Sequence, residues 1–153
     1  MGRLADYLFA IAATLWVGVL WAIGYVVAPT LFHTLSDRSL AGSLAGQFFR
    51  IVAWIGMGCA AYLLIYLLVR EGARALKAAV FWLVVAMLLL VLAGHFGITP
   101  IIAKLRAEAF PREVMESVVR DRFVAWHGIS SVLYLIQSAL GIALVTQLFK
   151  RQA

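Results

Sequence analysis

Three histidines, His33, His95 and His127, are the residues of this chain best suited to chemistry. Imidazole can ligate a metal or haem iron, carry a proton or sense pH near neutrality. His127 also begins a pattern. His127, Ser131, Tyr134, Ser138 and Gly141 follow one another at spacings of 4, 3, 4 and 3, with Gln137 beside them. At 3.6 residues per turn these positions form one stripe on a helix. Ser131, Tyr134, Gln137 and Ser138 would line the interior of a helical bundle, because polar side chains are costly against lipid. The chemistry open to such a site is restricted. Ser130 and Ser131 near His127 have only Asp121 as a nearby carboxylate, so a hydrolase triad lacks its orienting acid.

The elements that must position these groups are written in the charge pattern. Asp, Glu, Lys and Arg are absent from Tyr7–Ser36, Ile51–Val69, Ala78–Ala103 and Phe123–Phe149, which are 30, 19, 26 and 27 residues long. A bilayer core needs about 20 apolar residues of helix. A central charge costs roughly 2.5–3.5 kcal/mol on insertion scales. The pattern predicts an all-α integral membrane protein: an antiparallel four-helix transmembrane bundle with short interfacial helices. Residues 1–153 form one domain, with spans at about 4–28, 49–69, 78–103 and 123–148. No acid lies inside a run, which argues against an ion-coupled transporter. Charged residues are 13% of the chain, against about a quarter in soluble domains. The net charge of +6 comes from helix ends and is no nucleic-acid footprint. The first run is too long for the apolar region of a signal peptide and reads as a retained span. The single cysteine, Cys59, lies inside the second run and reads as a small buried hydrophobe.

Local signals refine this frame. Helix 1 should end near Pro29, since the residue before proline is pushed from the α region. Ser36 or Ser39 can cap the next helix, with Asp37 favourable at its positive end. That helix should run unbroken into the second span. Pro100 should kink helix 3, which continues to about Glu108. Pro111 would start an interfacial helix, with Glu116 and Arg120 spaced i,i+4. Thr14, Gly18, Trp21, Tyr25 and Ala28 repeat the 4, 3, 4, 3 spacing on helix 1. Trp54, Gly58, Ala61 and Tyr62 join them from helix 2, so both sets would line the bundle axis. Trp54, Trp82 and Trp126 would sit near interfaces. Gly18, Gly42, Gly46, Gly58 and Gly97 read as helix-packing positions, and the Gly42-xxx-Gly46 spacing as an oligomer contact. Counting 1.5 Å per residue from Lys104 and Arg122, His95 and His127 lie below the same membrane face, and His33 belongs to it too.

Three segments carry a resemblance. They are Trp16-Val17-Gly18 through Ala28-Pro29-Thr30-Leu31-Phe32, then Gly94-His95-Phe96-Gly97 with Pro100, and Arg122 through Trp126-His127-Gly128-Ile129-Ser130-Ser131. Together they resemble a bacterial four-helix membrane domain-of-unknown-function family similar to eukaryotic transmembrane protein 205. That resemblance implies a four-helix domain in the inner membrane of a Gram-negative bacterium, and no reaction. A topological likeness extends to the copper-resistance D-type membrane domain and to the haem-binding membrane protoporphyrinogen oxidase. Unlike the oxidase pattern, this chain has no histidine in the middle of helix 1 and no lysine inside a span.

The leading expectation is a non-enzymatic inner-membrane protein with a ligand or partner site at the histidine-bearing end. Its partners would be the lipid bilayer and a second copy or another membrane protein. The alternatives are haem b or a transition metal held by His95 and His127, with His33 as a further metal ligand, and a small-molecule or lipid permease using the hydroxyl stripe. Orientation follows from loop charge. Arg3, Arg70, Arg74, Lys77, Lys150 and Arg151 face only Asp6 and Glu71 on the side of the termini. The opposite side mixes its basic residues with more acids, so both termini should be cytoplasmic. An enzymatic reporter fused after Ala153 that needs the cytoplasm should be active; activity only of a reporter that needs the outside would reverse the topology.

Overall fold

The computed structural model describes residues 2–109 and 114–152, and no strand occurs among them. Four helices carry the fold: α1 (Arg3–Thr34), α2 (Arg38–Glu71), α3 (Ala79–Ala109) and α4 (Arg120–Gln152). All are long and apolar enough to cross a membrane. At 1.5 Å per residue the 31 residues of α3 extend about 46 Å, well beyond a hydrocarbon core of about 30 Å. Each helix packs on the one before and the one after it, and α4 closes against α1. The protein is a multi-pass membrane protein built as a four-helix bundle.

The connections are short. Asp37 caps α2: its Oδ1 accepts from the backbone N–H groups of Ser39 and Leu40 at 2.8 and 3.0 Å. The carboxylate, rather than Ser36 or Ser39, takes this role, since it satisfies two free donors and also meets the positive helix end. α2 ends at Gly72, whose φ of +57° only glycine adopts without strain. A 3₁₀ turn, Gly72–Lys77, then leads into α3. Pro111, expected to open an interfacial helix, lies outside the described residues. The chain beyond it makes only a 3₁₀ turn at Val114–Glu116. Glu116 and Arg120 are therefore not on one helix, and Arg120 instead approaches Asp121 at 3.8 Å.

Pro29 does not end α1. The chain widens just before it, in a π-helical turn over Ala22–Val27, and resumes as α-helix over Ala28–Thr34. The same happens before Pro100, where Ala93–Ile98 is π-helical. A proline inside a helix lacks an N–H, and its ring crowds the carbonyl four residues back. One extra residue in the turn relieves that crowding. The N–H of Ala28 then bonds the carbonyl of Ile23, and that of Thr99 the carbonyl of Gly94. Threonine hydroxyls help: Thr30 Oγ1 donates to Val26 O at 2.7 Å and Thr99 Oγ1 to Gly94 O at 3.0 Å. Inside a bilayer such replacements are required, because no water is there to accept the freed groups.

The extra residue rotates everything beyond it. Above the wide turn α1 buries Phe9, Ala13, Trp16, Val17 and Leu20. Thr14, Gly18 and Trp21, expected on the axis, face outward. Continuing the buried face at 3.6 residues per turn would bring positions 27 and 31 inward. The added residue buries Ala28 instead and sets the half-exposed Tyr25 and Phe32 on the rim of the space between the helices. On α2 the buried residues include Val52, Gly56, Cys59, Ala60, Leu63 and Leu67, so Trp54, Gly58 and Ala61 also face out. Helices that are apolar all round do not reveal their inner face by hydrophobicity.

Packing differs along the bundle. Towards the termini lies a dense core of Ala13, Trp16, Ala60, Leu63, Leu67, Val84, Met87 and Leu144, all fully buried. At the opposite end Leu105, Ala109 and Val119 form a second, smaller cluster. Glycines make several close contacts between helices. A Cβ on Gly56 would strike the buried indole of Trp16, and one on Gly24 the ring of Tyr134. A Cβ on Gly141 would lie 3.3 Å from Val17 Cγ1. Of the glycines expected to pack helices, Gly18, Gly58 and Gly97 would meet nothing within 4 Å. They lie on the outward faces just described. Gly56→Ala should therefore lower stability by about 1–3 kcal/mol, read as a lower melting temperature in mild detergent. Gly18→Ala and Gly58→Ala should leave it unchanged or slightly raised, since alanine is the better helix former.

Candidate functional site

Between the two packed clusters lies a cavity of about 510 Å³. All four helices contribute to its wall: Tyr25 and Ala28 from α1, Phe49 and Val52 from α2, Gly94 and His95 from α3, His127 and Tyr134 from α4. Both wide turns open onto it, through Gly24 and Tyr25 on one side and Gly94, His95 and Ile98 on the other. The prolines that reshape α1 and α3 therefore act at the same depth. Tyr25, Phe32 and Leu135 on its rim are 47%, 44% and 58% exposed, so it opens on the flank of the bundle.

Among the described residues the wall holds no Asp, Glu, Lys or Arg. Its polarity comes from hydroxyl, amide and imidazole groups, most of them already engaged. The Tyr25 hydroxyl donates to Ser138 Oγ at 2.9 Å, and Ser138 Oγ donates to the carbonyl of Tyr134 at 2.9 Å. The Tyr134 hydroxyl donates to the carbonyl of Leu20. Ser131 Oγ donates to the carbonyl of its own helix at His127, 2.9 Å away. The Tyr25–Ser138 and Tyr134–Leu20 bonds tie α1 to α4. Tyr134 is also held by aromatic edges, with ring centroids of Phe49 and Tyr25 at 5.2 and 6.3 Å.

Three polar atoms of the wall are buried without a partner in the protein: Nδ1 of His95 and both Oε1 and Nε2 of Gln137. Gln137 is only 4% exposed. A buried amide with neither group bonded is expensive anywhere, and more so where water is scarce.

The sequence expectations meet this geometry unevenly. His95 and His127 line the same cavity, with His95 against the edges of Trp54 and Phe96 at 5.6 and 4.8 Å. Trp54 thus rests its edge against a histidine of the third helix. His127 lies 5.7 Å from the ring of Phe123. His33 stands apart, exposed on the last turn of α1 and outside the cavity wall. Among the described residues no three His, Cys, Asp or Glu side chains are grouped to hold a metal ion, so the expected three-histidine set is not assembled. The wide turn carries α1 onward, and His33 follows it beyond the bundle interior.

Gly42 and Gly46 have a role that their spacing did not reveal. They make room for Arg106 of α3, whose Nη1 donates to the carbonyl of Gly42 at 2.9 Å. A Cβ on Gly42 would lie 3.0 Å from Nη2, and one on Gly46 3.7 Å from Nη1. The guanidinium also sits 5.7 Å from the centre of the Phe123 ring, the ring that His127 meets from its own helix. The small-residue spacing serves a packed arginine within one chain. The clue in the sequence was Arg106 itself, a charge one helical turn past the end of an apolar run.

The fold and cavity define a four-helix, multi-pass membrane protein with a largely uncharged interior site. Residues 11–111 match the family described as a domain of unknown function (DUF4149), and the chain belongs to that family. The matched stretch covers α1, α2 and α3 from residue 11 onward; α4, with His127, Tyr134 and Gln137, follows it. No curated protein and no solved structure matches the chain.

Proposed function

We propose that this is a non-enzymatic protein of a bacterial inner membrane that binds a small lipophilic molecule between its four helices. The cavity carries the proposal. At about 510 Å³ it is of ligand size. An uncharged wall and a flank opening favour an occupant drawn from the membrane over an ion from water.

An uncharged alkyl diazirine probe in lipid nanodiscs tests this. On irradiation it should label segments 24–32, 90–99 and 127–137, and Ala53→Phe, which fills the cavity, should cut that labelling about tenfold, equivalent to about 1.4 kcal/mol. Equal labelling in the variant would remove the proposal.

One observation favours a second reading, ligation of haem b or a transition metal by His95 and His127. Both line the cavity, and His95 Nδ1 is free of protein partners. Purified protein would then show a Soret band or bound metal that is lost in His95→Ala and His127→Ala. A colourless, metal-free protein that stays so after incubation with haem would exclude it.

A further inference from the structure

We propose that Gln137 is the recognition group of the cavity. Its ligand would be an uncharged ring compound bearing a hydroxyl or carbonyl oxygen, of the phenol or quinone class, with an apolar tail. This rests on the cavity reading above and goes further, to the chemistry of the occupant.

Most polar groups of the wall are already engaged. The hydroxyls of Tyr25, Ser131, Tyr134 and Ser138 each donate to an acceptor inside the protein. Among the buried side chains of the wall Gln137 alone offers both an unused donor and an unused acceptor, side by side; Ser130 and the more exposed His127 also line the wall without a hydrogen bond. Its residue is almost fully buried and forms part of the cavity wall. A structural glutamine in a membrane bundle would bond to a neighbouring helix. This one bonds to nothing in the protein, and Ser138 beside it does.

The rest of the wall says what surrounds that oxygen. Among the described residues no charged side chain lines the cavity to balance a charged ligand, and a lone charge there would be strongly disfavoured. Tyr25, Phe49, Tyr134 and His95 supply aromatic surfaces, which suit a planar ring by edge or offset contact. A ring hydroxyl can donate to Gln137 Oε1 and accept from Nε2; a ring carbonyl can accept from Nε2. His95 Nδ1 is a second free polar atom for a second ring oxygen.

The test is competition against the diazirine probe in nanodiscs, with 4-decylphenol and its headless counterpart decylbenzene. In the wild-type chain decylphenol should displace the probe at about tenfold lower concentration than decylbenzene. Gln137→Met and Gln137→Leu should each abolish that preference while leaving decylbenzene as potent as before. Both variants should also melt at a higher temperature without ligand, because an unsatisfied amide has been replaced by an apolar group. Either variant suffices if the other does not fold. A preference for the phenol that survives in the variants overturns the inference, as does a lower melting temperature, which would show Gln137 bonded within the protein. Equal displacement by both compounds in the wild type overturns it too, while leaving the cavity reading intact. If the probe never labels the cavity, that reading has failed first.

Discussion

Two prolines sit inside helices that have no water to repair them, and much of the structure follows from how the missing hydrogen bonds are replaced. Pro29 and Pro100 each remove a donor from the ladder of a membrane helix. The chain answers with a wide turn before each proline and a threonine hydroxyl donating to a nearby carbonyl. A wide turn adds a residue without ending the helix. It rotates the following segment and loosens the packing beside it. Because the two prolines lie at the same depth on α1 and α3, the two disturbances meet in one space. π-Helical turns are often found at functional sites, and here they bring Tyr25 and His95 to the same cavity.

The bundle is consequently divided. Its half near the termini is packed through small residues and large ones in register, as Gly56 receives Trp16 and Gly141 receives Val17. That half supplies the stability. Arg70, Asp6 and Tyr66 join its α1 and α2 ends through a polar cluster. The other half keeps a space between helices and fastens its far end with Leu105, Ala109, Val119 and the Arg106 guanidinium on Gly42. A site that must admit a ligand needs such a contrast, a rigid frame on one side and unfilled volume on the other.

How much could be read in advance depended on whether a residue's meaning was local. The four spans, the unbroken second helix and the gathering of His95 and His127 towards one end needed only charge counts and 1.5 Å per residue. The polar stripe on helix 4 was visible for the same reason, since Tyr134, Gln137 and Ser138 are costly on a lipid face. The stripes assigned to helices 1 and 2 were only partly right: Tyr25, Ala28 and Tyr62 meet neighbouring helices, while Thr14, Gly18, Trp21, Gly58 and Ala61 face out. Trp21, Trp54 and Gly58 look like interior residues by type, yet lipid accepts tryptophan and glycine as readily as a protein interior does. Pro29 was legible as a disturbance but not as a rotation, because the extra residue exists only once the helix continues past it. Glycine spacing failed differently: Gly42 and Gly46 signalled close approach correctly, but the approaching group was a side chain of α3.

The sequence by itself determined the solvent of this protein, the number of its helices and the restriction of its chemistry to histidine, hydroxyl and amide groups. These follow from transfer free energies, which attach to each residue independently of its neighbours. Tertiary structure alone decided which faces turn inward, that a cavity exists, and that Gln137 is buried in its wall with both amide groups unbonded within the protein. Those outcomes depend on helix rotation, and one residue more or less in a turn swings every later side chain by about 100°.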